Sequence, residues 1–434
     1  MPQPSRSSTP LLWFFFLIAT SVGSVQSSTA RADAVLEGVN PAQWRLVWNS
    51  DPSTSATLCW STALRGHQHR VHLSREEPRE NVEAAAPAEI PKRILSEAIV
   101  IEAQRNGRYS ATSPELYFHH AELSQLEPAT KYHVVIESDG QRSPAMFFVT
   151  APRKDVPVSL LFGADSRSGL PERRQMNAML AKMFAESYRA KRVPILAFAH
   201  GGDFIVDGRK LDLWSRWMSD HELTVAADGR LLPIIPARGN HDDGEIFNEV
   251  FAFPPQDENY YSLDLGPQVR LITLNTETSL SGDQLTWLKA ELPSSRSQRR
   301  WLLAQYHRPA FPAVKIPWIN LVQWVPLFEE HNVDLVCEGD GHNIKRTAPI
   351  RDYKIDPSGV VYIGEGGLGV GQRTPKAGRW YLNSSQAKTG QGHHVQLLTF
   401  DRAKLSYRVV LLGGEVFDEH YLSVRSPLES QGSK

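Results

Sequence analysis

Five short polar clusters, each directly after an apolar run, constrain the fold of this 434-residue chain more than any other feature. The apolar runs indicate buried strands at 159–162, 193–198, 232–235, 301–304 and 333–337. Ligands in open α/β sheets gather at the carboxyl ends of strands. Every cluster contributes a carboxylate, an amide or an imidazole, the side chains that bind hard and borderline divalent metals. The sequence therefore predicts a metal site at one sheet edge. The clusters are Gly163-Ala164-Asp165, Gly202-Asp203, Gly239-Asn240-His241-Asp242, Tyr306-His307 and Gly339-Asp340-Gly341-His342.

The spacing of these clusters fits an alternation of strands and helices. Asp203 follows Asp165 by 38 residues and Asn240 follows Asp203 by 37, which is the length of one strand-helix-strand step. Between the first two clusters, apolar residues from Met176 to Phe184 recur at i, i+3, i+4, i+7 and i+8. That spacing is typical of a helix packed on a core. Residues 155–425 are therefore predicted to form an α/β domain.

Residues 35–152 show a different pattern. Short alternating stretches between Trp44 and Thr150 are separated by Pro, Gly and Ser, which is typical of a β-sandwich. The segment 151–154 then indicates a linker, 76–91 a mobile insertion, and 426–434 a flexible tail. The length of the chain independently favours two domains.

Residues 1–34 have the features of a secretory signal. Arg6 supplies a positive charge, residues 11–22 an apolar stretch, and Ala30-Arg31-Ala32 or Ala32-Asp33-Ala34 a small-residue cleavage site. The apolar stretch is short for a transmembrane span, although an uncleaved anchor stays open. The mature chain is expected to have no transmembrane segment, and the protein is predicted to be secreted or periplasmic.

The composition narrows the class of protein. With 41% hydrophobic, 9% aromatic and 22% charged residues, the chain is globular rather than disordered. A formal net charge of −1 gives no support for nucleic-acid binding. Cys59 and Cys337 are too few for a disulfide scaffold and are expected to be free thiols. The oligomeric state stays open.

The order of the polar clusters resembles that of the calcineurin-like metallophosphoesterases, most specifically in the segments 202–208 (GDFIVDG) and 238–242 (RGNHD). Together with the N-terminal sandwich, in which the segment 118–123 (FHHAEL) also matches, the chain resembles the purple acid phosphatase branch of that superfamily. The resemblance implies an α/β fold: a metallophosphoesterase two-sheet β-sandwich flanked by helices. An all-β, fibronectin-III-like sandwich would precede it.

The resemblance also implies a dinuclear centre and a role for each ligand. Asp165 and His342 would bind the first metal ion, Asn240 and His307 would bind the second, and Asp203 would bridge both. In this family a metal-bound hydroxide attacks the phosphorus in line. The expected substrate is therefore a phosphomonoester, or a diester, and the expected cofactors are two iron, manganese or zinc ions.

Three further side chains are candidates for the catalytic machinery. His241 matches the family histidine that contacts the phosphate and protonates the leaving alkoxide. Arg167 and Arg308 could bind phosphate oxygens, because a guanidinium group binds them bidentately. Either arginine could instead form a structural pair.

Three positions depart from the family pattern. Asp340 stands in place of a histidine ligand of the second metal, Val206 in place of the tyrosine that colours the purple enzymes, and Arg167 in place of a histidine of the wider superfamily. Asp340 is expected to remain a ligand, and the extra carboxylate favours harder ions. The departures keep two alternatives open: a catalytically retired protein that serves as a binding or envelope-associated module, and a mononuclear or diester-specific enzyme.

Overall fold

The computed structural model describes residues 36–75, 95, 98–111, 113–189 and 192–425. The predicted signal (1–34), insertion (76–91) and tail (426–434) lie outside these residues. No helix among the described residues is long and apolar enough to cross a membrane.

The N-terminal region, up to residue 150, is all-β within its described residues. Its strands are β1 (Ala42–Val47), β2 (Ala56–Thr62), β3 (His69–Arg75), β4 (Ile99–Glu102), β5 (Arg105–Arg108), β6 (Tyr117–Leu123), β7 (Lys131–Ser138), β8 (Gln141–Arg142) and β9 (Met146–Val149). Every residue of β2 is buried because its two faces enter different cores. Leu58 and Trp60 pack with Val71 inside the sandwich, whereas Cys59 belongs to the core that contains Trp214.

The rest of the chain alternates strands and helices. The strands are β10 (Val158–Gly163), β11 (Ile195–His200), β12 (Ile234–Pro236), β13 (Tyr261–Asp264), β14 (Val269–Thr273), β15 (Trp301–Tyr306), β16 (Leu335–Glu338), β17 (Ile344–Arg346), β18 (Ile350–Arg351), β19 (Lys354–Ile355), β20 (Val361–Gly364), β21 (Lys388–Gly390), β22 (His394–Phe400), β23 (Lys404–Leu411) and β24 (Val416–Ser423). The α-helices are α1 (Leu170–Ser187), α2 (Leu211–His221), α3 (Ile246–Val250), α4 (Asp283–Gln298), α5 (Asn320–Gln323) and α6 (Val325–Glu330), and the 3-10 helices are Glu222–Thr224 and Trp380–Leu382.

Two large sheets organise these elements. One has the strand order β24-β23-β22-β10-β11-β12-β1-β2-β6-β5, and the other the order β13-β14-β15-β16-β20-β17-β21. Strands β10, β11 and β12 run parallel, as do β14, β15, β16 and β20. Parallel neighbours end at the same edge, so the loops after β10, β11, β12, β15 and β16 can converge there.

The two sheets pack face to face and the helices cover their outer faces. Leu160 of β10 and Leu303 of β15 belong to the same apolar core between the sheets. Leu180 of α1 lies in the outer core of the first sheet, and Leu288 of α4 lies in that of the second. This arrangement confirms the predicted α/β two-sheet fold preceded by an all-β region.

The N-terminal region is joined to the first large sheet by backbone pairing. Strand β1 pairs in parallel with β12 through Val47 and Ile234, and the Trp48 N–H donates to the Ile234 carbonyl at 3.0 Å. Side chains reinforce the junction, because Arg45 Nε donates to the Val250 carbonyl at 3.0 Å. The sheet therefore runs without interruption from the N-terminal region into the second half of the chain.

Candidate metal centre

The polar clusters lie in tight loops at one edge of the two sheets. Asp165, Asp203, Asp340 and His342 all have left-handed backbone angles, with φ values of 61°, 58°, 68° and 59°. Non-glycine residues adopt this region rarely, and strained residues of this kind cluster at functional sites. Gly202 (φ 94°) permits a close approach of two of these loops, because a Cβ there would lie 2.6 Å from the Gly239 nitrogen and 2.9 Å from His307 Nδ1.

Three fully buried side chains form the middle of the centre. Donor atoms of Asp165, Asp203 and His307 all lie within 4.8 Å of one another. His307 Nε2 is 3.1 Å from Asp203 Oδ1. His307 Nδ1 donates to the Gly201 carbonyl at 2.8 Å, and in the neutral ring this leaves the Nε2 lone pair directed at the cluster. A backbone acceptor on the outer nitrogen is the usual way to orient a metal-binding imidazole.

Buried side-chain oxygens and nitrogens that form no hydrogen bond test whether the centre suits a metal ion. Among the described residues, Asp165 Oδ1, Asp203 Oδ2, Asn240 Oδ1 and His307 Nε2 are buried atoms without a hydrogen bond. Buried polar atoms without a hydrogen bond are uncommon and need an explanation, and here neighbouring side chains approach Asp203 Oδ2 and Asp165 Oδ1 at 3.1 and 3.2 Å without forming one. Carboxylate oxygen, amide oxygen and imidazole nitrogen are the atoms that bind iron, manganese and zinc. The residues present therefore fit a metal ion.

Asp340 and His342 border the central three residues. Asp340 Oδ1 lies 3.7 Å from His307 Nε2, and the Asp340 N–H donates to Asp165 Oδ2 at 2.9 Å. His342 Nε2 lies 3.2 Å from Asp165 Oδ1. Asp340 also forms an ion pair with Lys315, a residue that the sequence did not single out. The structure thus brings all six predicted ligands to one edge and adds a lysine.

The two candidate arginines have different surroundings. Arg167 enters the centre: its Nε lies 3.1 Å from Asp203 Oδ2 and its Nη2 lies 3.5 Å from His342 Nε2. Arg308 is instead engaged beside the centre, where Nε and Nη2 contact the Glu277 carboxylate at 2.8 and 2.9 Å. Its guanidinium also lies 4.3 Å from the centroid of the Trp318 ring. Arg167 is therefore the arginine placed to meet a bound anion.

His241 stands at the half-buried mouth of the centre. Its backbone N–H donates to Asp203 Oδ1 at 3.0 Å, which places the residue next to the cluster. Its ring Nδ1 donates to the Val206 carbonyl at 2.8 Å. Because a carbonyl only accepts, Nδ1 carries a proton. Nε2 can then donate a proton only from the doubly protonated ring.

Charge in the centre sets the protonation of its members. Burial opposes charge on His307, but Asp203, Asp165 and Asp340 together raise its pKa well above the usual range. Burial would raise the pKa of Asp203, yet His307 and His241 lower it below its usual value. The raised pKa of His307 reflects the three carboxylates around it, and the lowered pKa of Asp203 keeps that carboxylate charged, so negative charge persists at the centre. Such a site attracts a cation.

Asp242 is a supporting residue whose role the sequence did not reveal. Its carboxylate accepts the backbone N–H groups of Asp203, Phe204 and Gly239 at 2.8, 2.9 and 2.8 Å, tying two ligand loops together. Burial, and then the charge of Asp203, raise its pKa to about 8. Its position as the fourth residue of the Gly-Asn-His-Asp cluster was the available signal.

A buried charge network underlies the last ligand loop. Lys345 Nζ contacts Glu338 and lies 2.8 Å from Glu365 Oε1, and all three side chains are fully buried. The Glu365 carbonyl accepts the His342 N–H at 2.6 Å, and its Oε1 accepts the Ala313 N–H at 2.9 Å. The network therefore connects the loop of His342 to the loop that carries Lys315.

Both regions of the chain match known families. Residues 41–150 match "Purple acid Phosphatase, N-terminal domain", and residues 176–343 match "Calcineurin-like phosphoesterase". The chain is a purple acid phosphatase-like member of the calcineurin-like phosphoesterases. The second match begins downstream of Asp165 and Arg167, so this part of the centre lies outside it.

The relatives of this purple acid phosphatase-like chain are distant. An uncharacterised protein of Mycobacterium tuberculosis is 25% identical over 320 residues, which are 64% of this chain and 57% of that protein. The chain thus spans less than two thirds of that relative. Purple acid phosphatase 15 of Arabidopsis thaliana is 28% identical over 178 residues, covering 36% of this chain and 32% of its own. The purple acid phosphatase PPD1 from yellow lupin seeds shares the fold, with a TM-score of 0.69, 16% identity and coverage of 88% of this chain and 74% of its own.

Proposed function

We propose that this protein is a metal-dependent phosphoesterase that hydrolyses phosphomonoesters. One observation carries the proposal: buried ligand atoms of Asp165, Asp203 and His307 lie within 4.8 Å of one another at a centre that also holds two side-chain cations, Arg167 and Lys315. A phosphate group needs positive charge around its oxygens, and a metal ion at these donors would supply it. The family membership supports the same chemistry.

The residues divide into those that hold metal and those that serve the substrate. Asp165, Asp203, Asn240 and His307 would hold the ion. In the dinuclear form of the proposal, which the resemblance implies, Asp340 and His342 complete the two ligand sets. When bound, metal of this kind lowers the pKa of a coordinated water and neutralises charge on the phosphate.

Three side chains would act on the substrate directly. Arg167 and Lys315 flank the central cluster and can donate to the non-bridging phosphate oxygens. His241 at the mouth can protonate the leaving oxygen from Nε2 as water attacks phosphorus and the ester bond breaks. The other ring proton stays on Nδ1, held by the Val206 carbonyl.

We also propose that the protein acts outside the cytoplasm. Support comes from the sequence of residues 1–34, which has a charged start, an apolar stretch and small residues at a cleavage site. Fractionation of cells that produce the full chain, followed by N-terminal sequencing of the product, tests this proposal. Recovery of the intact chain in the cytoplasm would contradict it.

Metal content and hydrolysis, measured together, test the catalytic proposal. The protein is loaded with manganese, iron or zinc and assayed with an aryl phosphate monoester and the matching diester, beside Asp203→Asn and Asp243→Asn. Asp243 is a half-exposed aspartate paired with Arg209, so it is the matched control. We expect metal binding and preferred hydrolysis of the monoester, both lost in Asp203→Asn only. Metal-free and inactive protein would overturn the proposal and favour a binding module.

A further inference from the structure

The guanidinium of Arg167 lies among the residues that the resemblance assigns to the first metal ion. Arg167 Nε is 3.1 Å from Asp203 Oδ2, and Nη2 is 3.5 Å from His342 Nε2. The Arg167 side chain is only 17% exposed, so it is a part of the centre rather than of the surface. The positive charge of Arg167 therefore already stands beside Asp203 Oδ2 and His342 Nε2.

The protein ligands available to a first ion are few. Asp165, Asp203 and His342 remain, while Val206 and Arg167 stand at the two positions where the resemblance implies further ligands. Val206 has no donor side chain, and an arginine does not coordinate metals because it stays protonated. The Arg167 guanidinium instead stands beside two of the remaining ligand candidates, Asp203 and His342. The position of the first ion, among Asp165, Asp203 and His342, therefore does not fit a metal ion.

The unsatisfied atoms point to one ion nearby. Donor atoms of Asp165, Asp203 and His307 lie within 4.8 Å of one another, close enough for a single ion to reach all three. Asn240 belongs to the loop that Asp242 ties to Asp203, and its buried Oδ1 has no hydrogen bond, so it is the candidate for a fourth ligand. His342 is not one of these three residues, and Arg167 Nη2 lies 3.5 Å from its Nε2.

The charges of the centre are consistent with one ion. Three carboxylates, of Asp165, Asp203 and Asp340, face two side-chain cations, Arg167 and Lys315. One negative charge is left over, and a single divalent ion makes the centre net positive. Net positive charge is what binding of a phosphate anion requires.

We infer that the centre holds a single divalent metal ion and that the Arg167 guanidinium takes the place of a second ion. The inference rests on the proposed metal-dependent phosphoesterase function and concerns how that site is built. Arg167 balances the charge of Asp203 and offers its remaining N–H groups to phosphate oxygens. A guanidinium suits this task because its planar donors match two oxygens at once.

Metal stoichiometry and electron paramagnetic resonance test the inference without any assay of activity. The purified protein is freed of metal with a chelator, loaded with excess Mn²⁺ and separated from free ions. We expect about one Mn²⁺ per chain and the spectrum of an isolated ion. A dinuclear centre has its ions only about 3.5–4 Å apart and would give an exchange-coupled spectrum. Two ions per chain with that spectrum would overturn the inference.

A pair of variants isolates the role of Arg167. Arg167→His removes the guanidinium and adds an imidazole ligand. We therefore expect the number of Mn²⁺ ions bound per chain to rise about two-fold and exchange coupling to appear in the spectrum. Arg308→His is the control, because Arg308 adjoins His307 in sequence but is held by Glu277; its count should stay at the wild-type value. An unchanged count in a folded Arg167→His protein, checked by circular dichroism, would count against the inference. If that variant does not fold, the wild-type count still decides.

The outcomes separate this inference from the proposed function. Two ions together with hydrolysis would leave the phosphoesterase proposal intact and refute the role given to Arg167. No bound ion and no hydrolysis would refute both. One ion with hydrolysis supports both.

Discussion

At the residue scale, the ring of His241 has the most restricted chemistry. Because Nδ1 donates to the Val206 carbonyl at 2.8 Å, only Nε2 can face a leaving group. A general acid matters most when the leaving oxygen is basic, as in an alkyl phosphate, and little when it is a stable aryl oxide. The identity of the leaving group should therefore reveal what His241 does.

We predict that His241→Gln lowers kcat about 10²–10⁴-fold for an alkyl phosphate and far less for an aryl phosphate with an acidic phenol. Steady-state kinetics on a series of phosphate esters measures how the loss of kcat varies with the basicity of the leaving oxygen. His331→Gln, at the end of α6, is the control and should leave the series unchanged. Equal losses on all substrates would show that His241 binds phosphate and does not donate the proton.

Lys315 is the second residue whose role can be isolated. It pairs with Asp340 from the wall of the centre. We predict that Lys315→Gln lowers kcat/KM about 10–100-fold, since a charge-assisted hydrogen bond to phosphate contributes about 1.5–3 kcal/mol. Metal content should not fall, because an ammonium group cannot bind a metal ion.

Lys376→Gln gives the matched control for Lys315. Lys376 has an exposed side chain, and only its backbone touches the same wall, where its N–H donates to the Ala313 carbonyl at 2.9 Å. Its kinetics should match the wild type. A loss of metal in Lys315→Gln would contradict the prediction and point to a structural role for the lysine.

At the scale of elements, the buried network of Lys345, Glu338 and Glu365 ties β16 and β17 to the loop that follows β20. Lys345→Met would leave two buried carboxylates without their cation, and breaking such a group typically costs about 3–5 kcal/mol. We predict a fall of that size in the free energy of unfolding, measured by urea denaturation. Lys354→Met, on the exposed strand β19, is the control and should change stability by less than about 0.5 kcal/mol.

Sequence patterns predicted these elements unevenly. The apolar runs at 159–162 and 301–304 lie inside β10 and β15, and the stripe from Met176 to Phe184 lies inside α1. The run at 193–198 is displaced, because β11 begins only after Pro194, which has no N–H to donate. Local periodicity is enough for elements of this kind, since each depends on its own residues.

The contacts within the site were predicted in part. The motif order placed the six ligand candidates and His241, since each follows its own strand. Lys315 and Glu365 could not be predicted, because their partners lie 25 and 20 residues away, Asp340 and Lys345 respectively. The engagement of Arg308 with Glu277 was equally hidden, being 31 residues apart in sequence. Such pairings depend on how loops meet in three dimensions.

At the scale of the whole molecule, several histidines are buried in neutral form. Burial lowers the pKa of His119 to about 2, of His120 and His221 to about 3, and of His394 to about 4. In the unfolded chain each would titrate near its ordinary pKa of about 6.5. Below that pH the unfolded chain binds more protons than the folded one, so acid favours unfolding.

We therefore predict that thermal stability falls as pH drops from about 6.5 towards 5. Each such histidine contributes up to about 1.4 kcal/mol per pH unit. Melting temperatures of the metal-loaded protein between pH 8 and pH 5 measure the slope, and His221→Phe, beside Trp217, should make it shallower. A melting temperature that stays constant or rises on acidification would contradict the prediction.

The sheet that passes from β12 into β1 also bears on how such a chain could be recombined. Because Val47 pairs with Ile234, excision of the N-terminal region would turn β12 into an open edge with unpaired backbone groups, a template for aggregation. A foreign N-terminal region could be grafted only if its first strand matched the register of β12 and offered an equivalent of Arg45 to the Val250 carbonyl. The N-terminal region and the α/β region are thus expected to be inherited together rather than recombined separately.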